Sequence, residues 1–266
     1  MSKTYVSIIT INYNNVLELK NTFESVFSQN YQDFEYIVID GGSTDGSKAL
    51  IEQYSDQIDY WVSEPDMGIY DAMNKGIAKG SGDYLYFLNS GDTFYNAEVL
   101  DHITKLLDSK KTDIIYGNVN DVNEETGASA IRPKTNLDKI ELFHKMVCHQ
   151  ALFCHRRLFQ DNLFKIKYKI KADFEWLLHA FSRYTPKVLN TDFIIANYLL
   201  GGLSEVQYDT YSRKEIPLIR NTYFSEKEQK ALRRFVFNPK ITQAPFGNVI
   251  KKGFKQYFRL IYPNLS

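Results

Sequence analysis

Short apolar segments alternate along the chain with segments in which apolar residues recur every three or four positions. Residues 5–13 are β-branched and aromatic with almost no charge, which is typical of a strand buried on both faces of a sheet. Leu19, Phe23 and Val26 then follow the spacing of an amphipathic helix. By the same criteria we predict further strands at 36–40, 59–62, 84–88 and 113–116, and helices at 47–54, 72–78 and 98–107. Strands and helices that alternate with short connections predict an α/β layer fold with a mostly parallel sheet.

The pattern is weaker in the second half of the chain. There we predict a loop or hairpin at 118–126, helices around 137–143 and 174–183, and a strand near 147–153. No linker rich in Pro, Gly or Ser interrupts residues 1–205, so we predict one domain over this range and a helical extension over 206–266.

The composition suits a folded domain, because 44% of the 266 residues are hydrophobic and 24% are charged. These values exclude a disordered chain and a small disulfide scaffold. With two cysteines and no signal-peptide pattern, the sequence favours a cytoplasmic protein. No run approaches the roughly 18 apolar residues that a membrane-spanning helix requires.

The formal net charge is zero, but the charges are unevenly distributed. Residues 230–266 contain eight basic residues and no acidic one, so the rest of the chain is acidic. A basic amphipathic helix over 248–262 would bind anionic lipid headgroups, and a helix packed on the domain with solvated lysines is the alternative. The apolar stripe of the predicted helix over 248–262 consists of Ile250, Phe254, Tyr257, Phe258 and Ile261. We expect no binding to nucleic acid, since no reading module is recognisable and the acidic body opposes it.

Polar residues follow three predicted strands, at the sheet edge where ligands bind in open α/β folds. Asn12 and Tyr13 end the first strand, Asp40 ends the second, and Asp92 follows the strand at 84–88. A carboxylate there can accept hydrogen bonds from a base or a ribose, or hold Mg²⁺ or Mn²⁺ on a diphosphate. Taken alone, Asp40 is also compatible with a helix cap, and residues 89–92 with a simple turn.

Two Cys-His pairs, Cys148-His149 and Cys154-His155, raise the question of a zinc site. On a strand the two cysteines would face one side and the two histidines the other, and the common Cys-x-x-Cys spacing is absent. We therefore predict buried structural cysteines and no zinc.

Six segments together resemble the family 2 glycosyltransferases, most closely the bacterial members that build O-antigen, capsule and other exopolysaccharides. They are residues 6–14, 38–47, 64–76, 82–92, 149–150 and 172–177. The resemblance implies a GT-A fold with a nucleotide-sugar half at 1–117 and an acceptor half at 118–205. It also implies inverting transfer from a nucleotide sugar, with UDP favoured, to a glycan acceptor. We expect dependence on Mn²⁺ or Mg²⁺, an acceptor linked to a polyprenyl lipid, and peripheral placement on the inner face of the cell membrane.

Site residues follow from the resemblance position by position. Asp173 is implied as the catalytic base, with Glu175 in reserve; alone, Asp173 would suit a carboxylate favoured by the helix dipole. Asp92 is implied as the metal ligand. His149, Gln150 and Trp176 are implied near the acceptor and the donor sugar. The residues implied in binding the nucleotide donor are Thr10, Asn12, Tyr13, Asp40, Ser43, Asp66, Asp71, Asn74, Lys75, Asn89 and Ser90.

The sequence departs from the family's acidic DxD motif, because Asn89 and Gly91 stand at its first and middle positions. An amide can still bond a ribose hydroxyl, but the loss of a negative charge weakens the expected metal binding. This departure leaves a catalytically silent nucleotide-sugar binding protein as one alternative. A nucleotidyltransferase is disfavoured, since no glycine-rich phosphate loop follows the first strand.

Overall fold

The computed structural model describes residues 5–109, 111–202 and 208–236, together with residue 256. The strands are β1 (Val6–Asn12), β2 (Glu35–Asp40), β3 (Tyr60–Ser63), β4 (Tyr84–Phe87), β5 (Thr93–Phe94), β6 (Ile114–Val122), β7 (Ser129–Arg132), β8 (Leu152–His155) and β9 (Val188–Leu199). The helices are α1 (Val16–Phe27), α2 (Ser47–Gln53), α3 (Ile69–Lys79), α4 (Val99–Ser109), α5 (Lys139–His144), α6 (Ala172–Arg183), α7 (Arg213–Tyr223) and α8 (Glu226–Val236).

The strands form one mixed sheet in the order β3-β2-β1-β4-β8-β6-β9-β5, and β7 pairs with β6. The first four strands in this order are mutually parallel. Strand β8 joins them to the second half, because it pairs antiparallel with both β4 and β6. The chain moves from β1 towards β3 on one side and to β4 on the other, so the order reverses between β1 and β4. Such a reversal opens a crevice at the carboxyl ends of the two strands.

The first half is built on a strand with every residue buried. Helix α1 covers β1 and β2 through its apolar face, where Phe23 contacts the rings of Phe27, Tyr36 and Tyr54. Polar residues inside β1 are bonded rather than exposed: Thr10 donates to the carbonyl oxygen of Leu88 and also bonds the Tyr36 hydroxyl. The parallel strands therefore carry the near-continuous apolar runs that burial on both faces requires.

Most of the predicted elements of the first half are present with shifted ends. Helix α3 is longer than the predicted 72–78, and β3 starts one residue later than predicted. The second half corrects several expectations. Of the loop or hairpin predicted at 118–126, the hairpin is present, because β6 turns after Val122 and pairs antiparallel with β7. The long strand β9 was not predicted. The predicted strand at 147–153 is instead a 3₁₀ turn, His149–Ala151, followed by β8.

Helices α7 and α8 belong to the predicted extension, and α7 packs on α6. The division at residue 205 stays a prediction. The proposed lipid-binding stripe at 248–262 lies outside the described residues, except for residue 256. In the described ranges, the helices are too short or too polar for any of them to cross a lipid bilayer.

We predict that Phe23→Ala lowers the free energy of unfolding by about 3–5 kcal/mol, because it opens a cavity at a fully buried position of the aromatic cluster. Urea denaturation followed by circular dichroism measures the change. Leu17→Ala on the same helix is the control: Leu17 is 79% exposed, and its removal should change stability by less than about 0.5 kcal/mol. Equal losses in the two variants would contradict this description of the core.

Candidate functional site

The crevice between β1 and β4 gathers residues from distant parts of the chain. The strand ends contribute Asn12 and Asn89, the loop after β2 contributes Ser43, and the start of α6 contributes Asp173. Their side chains form two groups of hydrogen bonds, one around Asp40 and one around Asp173.

Asp40 is fully buried and accepts four hydrogen bonds from the protein. The donors are the Asn12 amide at 2.7 Å, the Ser43 N–H at 2.9 Å, the Ser43 hydroxyl at 2.5 Å and the Ser63 hydroxyl at 2.7 Å. Burial opposes ionisation, but these bonds outweigh it and hold the pKa of Asp40 below its usual value. A direct contact between Asp40 and a base would require one of these donors to turn away.

Tyr13 and Asp66 meet over Gly41, the first residue after β2. A Cβ atom on Gly41 would lie 2.6 Å from the Asp66 Oδ2 atom and 3.2 Å from the Tyr13 ring, so a larger residue there would displace the Asp66 carboxylate. The Tyr13 side chain is 67% exposed, which is unusual for an aromatic residue at the end of a buried strand. The structure thus sets a solvent-accessible ring beside a carboxylate.

Three further predicted donor-binding residues lie on α3 and are bonded to protein groups. Asn74 binds both the N–H and the carbonyl oxygen of Phe164, at 2.9 and 2.8 Å. Lys75 donates to Glu64 at 2.8 Å, and this hydrogen bond raises the pKa of Lys75. Asp71 accepts the Met67 N–H at 3.1 Å. These side chains therefore hold the loops around the crevice in place.

Residues 89–92 form a tight turn after β4. Gly91 has a φ of 103°, which explains why a glycine stands at the middle position of the DxD-like segment. The Ser90 hydroxyl accepts a hydrogen bond from the Asn15 amide at 3.2 Å. This turn is therefore tied to the loop that follows β1.

Asp92 is buried against the second half of the protein. Its carboxylate accepts the Gln150 amide at 2.6 Å and the Leu199 N–H at 3.1 Å. Burial raises the pKa of Asp92 to about 6, although these two donors act in the opposite direction. No group of three His, Cys, Asp or Glu side chains placed to hold a metal ion occurs in the described part of the chain. Asp92 therefore fits a cation only as a single protein carboxylate, with substrate phosphates completing the shell.

A line of polar contacts joins the end of β4 to α6. The Asn89 amide bonds His149 Nε2 at 3.1 Å, and His149 Nδ1 lies 3.5 Å from Asp173 Oδ2. The Tyr70 hydroxyl donates to the other oxygen of Asp173 at 3.0 Å. His149 thus lies between the Asn89 amide and the Asp173 carboxylate, with one ring nitrogen facing each of them.

Asp173 is an ionised carboxylate in a nearly dry position, with a side chain only 13% exposed. Burial alone would raise its pKa. The hydrogen bond and charge of His149, the charge of Lys171 and the Phe174 N–H at 2.8 Å outweigh burial and lower the pKa of Asp173 below its usual value. The position in the first turn of a helix also favours negative charge.

Several predicted site residues lie away from the crevice. Thr10 is fully buried between strands. Trp176 is packed in the core with its ring 4.3 Å from the Phe159 ring, so it presents no surface to a sugar. Glu175 is 1% exposed and is paired with Lys165 and Tyr223 on another side of α6 from Asp173.

The cysteines have raised pKa values because of burial, about 12 for Cys148. The two cysteines do not lie on one strand, as the sequence analysis assumed. Cys148 precedes the 3₁₀ turn, whereas Cys154 is in β8.

Sequence reasoning missed Tyr70 and Ser63 as members of the site. Tyr70 lies within the segment 64–76 that carries the family resemblance, and its position next to Asp71 was the available signal. Ser63 follows an apolar strand in the same way as Asn12 and Asp40, so the strand-end rule itself covered it.

The fold and the crevice define a class of α/β enzyme in which polar groups surround the switch point of a mostly parallel sheet. The family model described as Glycosyl transferase family 2 matches residues 7–168. The chain belongs to this family and is a glycosyltransferase.

Curated relatives agree with this assignment. The chain is 29% identical over 226 residues to the PGL/p-HBAD biosynthesis glycosyltransferase of Mycobacterium bovis, covering 82% of this chain and 86% of that protein. It is 37% identical over 180 residues to an uncharacterized glycosyltransferase of Mycobacterium tuberculosis, covering 66% and 68% of the two chains.

Solved structures confirm the predicted GT-A fold. TarS of S. aureus in complex with UDP superposes with a TM-score of 0.65 at 16% identity, covering 92% of this chain and 74% of that chain. The mannosyltransferase PcManGT of Pyrobaculum calidifontis, in complex with GDP-Man and Mn²⁺, gives a TM-score of 0.59 at 13% identity, with coverages of 80% and 61%.

We predict that the carboxyl group of Asp92 titrates near pH 6 in the ligand-free protein, as measured by carbon NMR. Gln150→Leu should raise this value further, because it removes a donor to the carboxylate. The folded state holds the proton more tightly than the unfolded chain, so this group reduces stability progressively as pH rises from about 4 to about 6. Gln29→Leu removes a buried glutamine that does not contact this carboxylate and should leave the titration unchanged.

Proposed function

We propose that the protein transfers a hexosyl or N-acetylhexosaminyl group from a nucleotide-sugar donor, with UDP favoured, to a glycan acceptor, inverting the anomeric centre. The observation that carries the proposal is the line of contacts from Asn89 through His149 to Asp173. It brings an ionised carboxylate from α6 to the end of β4, beside the turn that contains Asp92.

In the proposed reaction an acceptor hydroxyl attacks the anomeric carbon. Asp173 takes the hydroxyl proton as the new carbon–oxygen bond forms, and the bond from the anomeric carbon to the phosphate oxygen breaks with its electron pair on the departing diphosphate. The Tyr70 hydroxyl donates to one oxygen of Asp173, and His149 Nδ1 lies 3.5 Å from the other, so both contacts orient the carboxylate. The lowered pKa of Asp173 keeps it in the basic form at neutral pH.

The nucleoside would bind at the other group of contacts. The exposed ring of Tyr13 is suited to stack on a base, and the neighbouring Asp66 carboxylate is suited to accept ribose hydroxyl protons. Asn12 and Ser43, held by Asp40, form the floor of this region. The UDP and GDP-Man complexes of the structural neighbours are consistent with a nucleotide donor.

A divalent cation, when bound, neutralises charge on the leaving diphosphate. Asp92 is the residue that would hold it, and Asn89 would add no negative charge there. The Mn²⁺ in the PcManGT complex supports a cation requirement.

The acceptor is proposed to be linked to a polyprenyl lipid, in the synthesis of a bacterial surface polysaccharide. Leu163 and Ile166 are exposed in the segment before α6, and Lys167 and Lys169 are exposed next to them. Such a surface fits an acceptor carried by a lipid with an anionic headgroup, and cytoplasmic placement at the inner face of the membrane. The tail at 248–262 is proposed as the second contact with an anionic bilayer.

We predict that Asp173→Asn abolishes sugar transfer while nucleotide affinity changes less than about twofold, because it removes the base and keeps the shape. Turnover is measured as release of nucleotide, and affinity by calorimetry. Asp161→Asn, the same substitution at an exposed aspartate outside the described contacts of the site, is the matched control. Near-normal turnover in Asp173→Asn would remove Asp173 from the role of base. Binding without turnover in the wild type would favour a silent nucleotide-sugar binding protein.

We also predict that UDP with Mn²⁺ raises the melting temperature more than UDP alone, and more than GDP, CDP or dTDP, since a ligand that binds only the native state stabilises it. Tyr13→Ala should abolish most of this rise by removing the stacking ring. Tyr95→Ala removes another exposed tyrosine and should retain the rise. An unchanged rise in Tyr13→Ala would place the base elsewhere.

A further inference from the structure

Helix α7 contacts the Asp173 turn from two sides. This helix lies beyond residues 7–168, the range that the family model matches, and it belongs to the part of the chain that we predicted as an extension. Two of its side chains, Glu215 and Tyr223, are bonded to residues that flank Asp173 in sequence.

Glu215 holds the backbone that leads into α6. Its side chain is buried, and its two oxygens accept the N–H groups of Lys169 at 2.6 Å and of Ile170 at 3.3 Å. These N–H groups precede the first residue of α6 by only a few positions. A buried carboxylate is stable only when such donors compensate it, so the contact fixes the backbone at the point where the helix begins.

Tyr223 holds the other side of the same turn. Its hydroxyl donates to Glu175, which also pairs with Lys165 and is two residues beyond Asp173. The Nδ1 atom of His179 lies 3.4 Å from the same hydroxyl. Because Glu175 is almost fully buried, its position is determined by these partners and not by solvent.

We propose that Glu215 and Tyr223 are positioning residues, which set the place of Asp173 relative to His149 and Tyr70. The Tyr70 hydroxyl lies 3.0 Å from one oxygen of Asp173, and His149 Nδ1 lies 3.5 Å from the other. A small rotation or shift of the first turn of α6 lengthens one contact or the other. A displacement of about 1 Å can cost on the order of 100-fold in rate when a group must meet a reacting atom.

The inference rests on the proposed role of Asp173 as base. It gives the C-terminal helices a part in catalysis that needs no contact with substrate. It also gives Glu175 a structural role rather than the role of a second base, because Tyr223 of α7 bonds α6 at Glu175.

The test uses the full chain with UDP-N-acetylglucosamine, Mn²⁺ and water as acceptor. Glu215→Gln and Tyr223→Phe are compared with Glu228→Gln and Tyr84→Phe. Glu228 caps the next helix, and the Tyr84 hydroxyl bonds a carbonyl at the opposite end of β4. We expect kcat to fall about 10-fold or more in the first pair, with KM for the donor changed less than about twofold. Amide hydrogen exchange of residues 169–175 should be faster in that pair only.

Each outcome decides the matter. The inference is overturned if kcat and exchange in both test variants match the controls, or if KM rises while kcat is kept. If Glu215→Gln does not fold, Tyr223→Phe decides, since it deletes a single hydroxyl. Near-normal turnover in Asp173→Asn would instead refute the proposed base. If the wild type releases no nucleotide, hydrogen exchange decides, and unchanged exchange at 169–175 refutes the inference.

Discussion

Asp173 carries a negative charge in a place from which water is largely excluded, and the contacts around it keep that charge there. Burial favours the protonated acid, which could not act as the proposed base. The hydrogen bond and charge of His149, the charge of Lys171 and the N–H of Phe174 reverse that preference. None of these groups is close to β1 or β2 in sequence, yet the antiparallel strand β8 brings the turn at His149 against the end of β4. The mixed sheet thus brings the crevice between β1 and β4 and the proposed base to one edge.

The pKa values of the three buried carboxylates of the crevice shift in different directions. Asp40 and Asp173 collect enough donors to stay ionised, whereas Asp92 has two and its pKa remains raised, to about 6. A bound cation would lower the pKa of Asp92 again, which is what the proposed role of Asp92 requires. Hydrogen bonds from the Gln150 amide and the Leu199 N–H hold the two oxygens of Asp92 in place.

How much of this could be predicted from sequence depended on how far apart the interacting residues lie. Local rules identified the buried strands, the helices between them and the polar strand ends, because each is a pattern within a few residues. They failed at β9, whose exposure varies along its length, and at the turn His149–Ala151, whose apolar neighbours resembled a strand. The family resemblance supplied Asp173, and no local pattern could have supplied its contact with Tyr70, which is 103 residues away. Trp176 shows the limit of transfer by resemblance, since its ring packs against Phe159 and Phe164 in the core.

Asn89 stands where the family's motif has an acidic residue, and its contact with His149 shows what this difference changes. An aspartate at this position would place a second carboxylate on His149, opposite Asp173. The neutral amide contacts Nε2 instead, so Asp173 is the carboxylate that His149 faces. In the proposed mechanism, the first position of the motif would act through His149 on the proposed base, Asp173. A cation would then be held by Asp92 and by the substrate itself.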